Sequence, residues 1–160
     1  MGILALLAGG ILTVMAAVHT KTAVEALSEP QHPRTAAVLE NDLAERPFQP
    51  IAWFALAQHR MLAGDRAGAR KAWRLSVLAG SVEPSIMQRR LRFGCDMADD
   101  LSGDDRQLLN RQIRLAYLID PPQTMLLSLE DERYGRQIRP VISALDDTDI
   151  DLLVRIHSIH

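Results

Sequence analysis

Aromatic side chains are scarce in this chain. Two Trp, two Tyr and three Phe make up 4% of its 160 residues. A sheet protein draws on aromatic and β-branched residues, and no stretch alternates apolar and polar with period two, so a strand-built fold is excluded. One cysteine, Cys95, leaves no internal disulfide to form. Lysine is nearly missing too, with Lys21 and Lys71 the exceptions among basic residues that are otherwise Arg. A formal net charge of -2 lacks the basic excess of a nucleic-acid binder. No HExxH, no Cys/His cluster at metal-ligand spacing and no glycine-rich phosphate loop occurs. His157 and His160 stand three apart but read as solvent-exposed residues of a chain end. Asp96, Asp99 and Asp100 read as a solvated face, and Asp104-Asp105 as a helix amino end. We therefore expect no enzyme, no catalytic or metal-ligating residues and no cofactor.

What is present is Ala, Leu and other apolar residues in quantity, 48% hydrophobic against 24% charged. That balance supports a packed core of closely approaching helices. Gly2 to Val18 contains no charged residue, and with His19 and Thr20 the run reaches the roughly 20 residues that cross a bilayer as a helix. No Lys or Arg precedes it and no clean small-x-small site closes it, which disfavours a cleaved signal peptide over an anchor. Ala5, Gly9 and Thr13 recur every four residues, the spacing at which small side chains let membrane helices approach. Lys21 and Arg34 after the span favour a cytoplasmic domain by the positive-inside rule. We expect a transmembrane anchor over 1–21 and a linker over 22–34, broken by Pro30 and Pro33.

Helical periodicity fills the remainder. Helices are expected over Thr35–Arg46, Ile51–Ala63, Arg66–Ala79, Glu83–Leu101 and Ser102–Ile119, then less sharply over Gln123–Glu132, Gln137–Leu145 and Thr148–Ile159. Gly64-Asp65 marks a turn, Gly80 a left-handed carboxyl cap and Pro84 a helix start. Cys95, in an amphipathic segment beside acids, is expected to be core or half-buried and unreactive.

Residues 50–84 resemble one tetratricopeptide repeat, a 34-residue helix pair in which large and small residues meet across the pair. With Trp53 at the fourth position, Leu56 and Ala57 fall at the seventh and eighth, Ala69 at the twentieth, Trp73 at the aromatic twenty-fourth and Ser76 at the small twenty-seventh. Arg60 replaces the eleventh-position Tyr and Ser81 the closing Pro. The resemblance implies that Trp53 and Leu56 project from one face of the first helix, that Ala57 and Ala69 admit the second, and that Trp73 fills the space toward the neighbouring pair. Thr35–Pro47 resembles the end of an earlier unit and LAYLIDP (Leu115–Pro121) the end of a later one, though Asp96 and Asp100 occupy apolar sites of the latter. The resemblance implies a TPR-like helical domain over 35–122, with 123–160 as a helical extension outside it.

Such a unit implies protein recognition. Ile51, Phe54, Gln58 and Met61 would face its groove, a mostly apolar set suited to a peptide or helix. Residues 60–114 hold 11 basic and 7 acidic residues, and residues 120–160 hold 4 and 8. Arg70, Lys71, Arg74, Arg89, Arg90 and Arg92 are candidates for a positive strip, open to an acidic ligand or paired with the protein's own acidic tail. The fold expected is all-α: an amino-terminal transmembrane helix followed by an array of TPR-like α-hairpins. The layout and the Arg-rich usage are similar to small alphaproteobacterial membrane proteins. They imply a single-pass inner-membrane adaptor or accessory subunit of an envelope assembly, its domain more often periplasmic in that layout, with protein partners and no nucleic acid. A soluble secreted module and a purely structural subunit are the alternatives.

Overall fold

The computed structural model describes residues 36–149, together with 151 and 154. The anchor and linker expected over 1–34 lie outside these residues. Among the described residues every regular element is helical, and none is long and apolar enough to cross a membrane.

Among the described residues these α-helices follow one another: α1 (Ala36–Glu45), α2 (Pro50–Leu62), α3 (Arg66–Ala79), α4 (Met87–Asp96), α5 (Gly103–Ile119), α6 (Pro121–Glu130) and α7 (Glu132–Ser143), with a 3-10 turn at Ala98–Asp100. Their ends have local causes. Pro50 and Pro121 occupy first helical positions, where a missing N–H leaves no intrahelical bond unmade. Asp65, Ser102, Asp120 and Asp131 each accept a backbone N–H of the first turn of α3, α5, α6 and α7 respectively. Gly64 turns the chain between α2 and α3 at φ 80°, a conformation natural to glycine. Residues 147–149 open a further helix, where Asp146 accepts from Asp149 N at 3.0 Å.

Three boundaries differ from expectation. The helix expected over Glu83–Leu101 is shortened at both ends: Pro84 lies in the turn before α4, and the chain tightens into the 3-10 turn after Asp96. Gly80 is extended, at φ -169°, not left-handed. Its glycine is explained by space, because a Cβ there would come within 2.9 Å of Pro50 Cγ. The α6–α7 break falls at extended Asp131, earlier than the 133–136 gap expected.

Consecutive helices pair. The end of α3 returns to the start of α2, where Ser76 Oγ donates to Pro50 O at 2.7 Å. In the next pair Arg90 of α4 reaches Gln112 of α5, and Gly94 lies against Leu109, so the two helices also run antiparallel. α7 packs back on α6 after the single residue Asp131. Seven residues after the start of α2, α4 and α6 stand Ala57, Gly94 and Ser128, all small and all buried. A small side chain at that level lets the paired helix approach. At Gly94 a Cβ would sit 2.9 Å from both Leu109 Cδ1 and Trp73 Cζ2.

One core runs the length of the domain, from Leu39 and Leu43 through Leu56, Ala69, Trp73, Leu91 and Ile113 to Ile138. Trp73, fully buried, spans the junction between the first and second pairs. Its Nε1 donates to Arg90 O at 3.1 Å.

Candidate protein-binding groove

Helices α2, α4 and α6, the first members of the three pairs, together wall a hollow of about 730 Å³. Part of its lining is aromatic: Phe54 of α2 meets Phe93 of α4 edge to face, ring centroids 5.7 Å apart at 81°. Leu126, 59% exposed, and buried Leu127 supply the apolar wall on α6. Gln58, Gln88 and Gln123 bring one amide from each of the three helices. Gln88 Nε2 donates to Thr124 Oγ1 at 3.3 Å, while its Oε1 is buried without a hydrogen-bond partner.

Charges border the apolar floor in pairs. Arg92 and Glu130 form an ion pair at 2.5 Å, and Arg92 also lies 5.9 Å from the Tyr134 ring centroid. The Tyr134 hydroxyl donates to Asp96 Oδ1 at 2.9 Å. Burial, then this bond to a carboxylate, raises the phenol's pKa and keeps it protonated. Arg89 is exposed and donates to the carbonyl of Ser85, at 3.4 Å.

Of the residues expected to face a groove, Phe54 and Gln58 line this one. Phe54 does so as a 2% exposed floor and not as a projecting contact. Ile51 is 52% exposed outside the hollow, and Met61 packs partly buried against the core. Leu56, Ala57, Ala69, Trp73 and Ser76 are fully buried, whereas Trp53 is half-buried with its Nε1 donating to Pro47 O at 2.7 Å. The walls on α4 and α6 were not foreseen. Their signal is present as helical spacing, at 88, 89, 92, 93 and 96 on α4 and at 123, 126, 127 and 130 on α6.

The candidate positive strip does not form one surface. Arg90 is wholly buried, and its guanidinium donates to Ser76 O (3.0 Å), Gly80 O (2.8 Å), Ser81 O (2.7 Å) and Gln112 Oε1 (2.8 Å). It thereby caps the carboxyl end of α3, where a cation is favoured. Burial pushes its pKa down to about 10 against the attraction of Glu83, and it remains charged at neutral pH. Arg70 and Arg74 converge on the buried carboxylate of Asp105 at 3.7 and 3.2 Å. Among the described residues no group of three or more His, Cys, Asp and Glu is placed to hold a metal ion.

Comparison with known protein families, curated proteins and solved structures gave no match. The walls of the groove offer apolar area and amide groups to a ligand.

Proposed function

We propose that this domain is a TPR-like protein-recognition module whose groove between α2, α4 and α6 receives an extended segment of a partner protein. The observation that carries this reading is the meeting of three glutamine amides around the Phe54–Phe93 floor. Amides supply both donors and acceptors to a backbone, and an aromatic floor with Leu126 supplies a site for an apolar side chain.

The recurrence of Ala57, Gly94 and Ser128 at one level of three successive helices supports the repeat reading, and it extends that reading to α6 and α7. The uncharged run before residue 19 supports placing the module at an inner membrane, as an adaptor or accessory subunit of an envelope assembly.

Retrieval from native membranes in mild detergent tests the proposal, with full-length protein beside Leu126→Asp. Leu126 is exposed, so the change leaves the core intact. The expected result is a partner retained by the wild type and lost from the variant, with unchanged helicity. Equal retention by both would remove the groove from partner recognition.

A further inference from the structure

A second surface lies on the other members of the helix pairs. Between α5 and α7 runs a groove of about 780 Å³, lined by Arg106, Arg111 and Arg114 of α5 and Arg136 of α7. Leu109, Pro140 and Val141 are among its apolar walls, and no carboxylate lines it among the described residues. Elsewhere in the domain several arginines are matched: Arg60 with Glu40, Arg66 with Asp100, Arg70 and Arg74 with Asp105, Arg92 with Glu130. Here the matching stops. Arg111 and Arg136 are exposed with no carboxylate at ion-pair distance among the described residues. The acid that Arg136 influences, Asp131, is already held by Arg133 at 2.7 and 3.0 Å. Among the described residues Arg106 donates to Leu101 O, at 3.2 Å, and to no carboxylate. Arg114 alone is met, by Asp149 at 3.6 Å, and this contact shows the kind of group the groove accepts.

Like charges gathered without counter-charge repel one another, and the guanidinium fork is shaped for carboxylates. A bilayer surface is flat, whereas these arginines line the sides of a groove with an apolar floor, which fits a chain segment better. The spacing is also that of a strand. Arg106 and Arg114 are eight residues apart, about 12 Å along a helix at ~1.5 Å per residue. An extended peptide covers this in about four residues at ~3.3 Å each. We propose that the α5–α7 groove binds an extended acidic segment of another protein, with carboxylates at alternate positions on the arginines and apolar side chains between them on Leu109, Pro140 and Val141. This site is separate from the groove between α2, α4 and α6.

The test uses full-length protein in neutral detergent and a fluorescein-labelled peptide carrying glutamate at every second position with apolar residues between. A second peptide has glutamine in place of every glutamate. Fluorescence anisotropy should show saturable binding of the first peptide only, weakening as salt rises from about 50 to about 300 mM. Arg111→Ala/Arg136→Ala should weaken binding at least tenfold with an unchanged helical circular dichroism spectrum. Lys71→Ala, which removes an exposed cation outside the groove, should leave it unchanged. Absence of binding, equal binding of the glutamine peptide, or equal weakening by Lys71→Ala would overturn the proposal. So would binding of a soluble short-chain phosphatidylglycerol that the double variant loses while the peptide stays inert; that outcome would reassign the arginines to a lipid headgroup.

Discussion

Trp73 Nε1 donates to the backbone carbonyl of Arg90 at 3.1 Å, tying the second helix of one pair to the first helix of the next. The same indole is fully buried and abuts the space above Gly94. One side chain therefore fills the junction, fixes its register and sets how closely α3, α4 and α5 approach.

Trp73→Ala should cost about 3–5 kcal/mol, the range for removing a large buried aromatic. Trp73→Phe keeps most of the packing and strands the carbonyl, so it should cost less. Urea denaturation followed by circular dichroism reads both. A loss under about 1 kcal/mol for the alanine variant would mean that the junction does not depend on this ring.

Arg90→Met should destabilise strongly, because Gly80 O and Gln112 Oε1 lose their donor, at about 1–3 kcal/mol for each group left unpaired, and Ser76 O and Ser81 O lose a charge-assisted bond while keeping Gly80 N and Gln112 Nε2. Arg90→Lys should fall between, since an ammonium cannot span acceptors on both sides of the guanidinium. The expected order of urea midpoints is wild type, then Lys, then Met. Equal midpoints would make this buried cation dispensable.

Gly94→Ala should lower stability by about 1–3 kcal/mol, the range for overpacking a close helix contact. Neither Leu109 Cδ1 nor Trp73 Cζ2 can retreat from 2.9 Å without moving a core side chain. A neutral or stabilising alanine, measured by thermal unfolding, would show that the pair tolerates a wider spacing.

Cys95 should react with thiol reagents only on unfolding. It is 5% exposed, and desolvation, aided by Asp96, pushes its pKa up to about 12. At neutral pH the thiolate is therefore negligible. Labelling by Ellman's reagent should be slow in buffer and fast in urea. Fast labelling in buffer would place the thiol at the surface.

How far the fold was legible depends on punctuation. α2, α3 and α5 fall close to their expected ranges because Pro50, Gly64-Asp65, Ser102 and the Pro121-Pro122 pair mark their ends. α4 was misjudged because the apolar pattern carries on from Met87 to Leu101 while the backbone does not, and Asp96 and Asp99 gave no stop signal. Arg90 belongs with Arg89 and Arg92 in any reading of composition. Its burial follows from acceptors at Ser76, Gly80, Ser81 and Gln112, which only the folded chain assembles. The sequence places Phe54 among the residues facing the groove. Its contact with Phe93, 39 residues on, makes it a floor, and Phe54→Ala should also destabilise the domain. The groove is therefore better probed at exposed Gln58 and Leu126.

Site-specific photo-crosslinking in native membranes tests partner recognition by the groove most directly. A photoreactive residue would replace Gln58, Leu126 or, outside the groove, Leu78, which is 61% exposed on α3. The groove reading predicts one and the same protein adduct from Gln58 and Leu126 and none from Leu78. Adducts from Leu78 alone, or from no position in the groove, would contradict it.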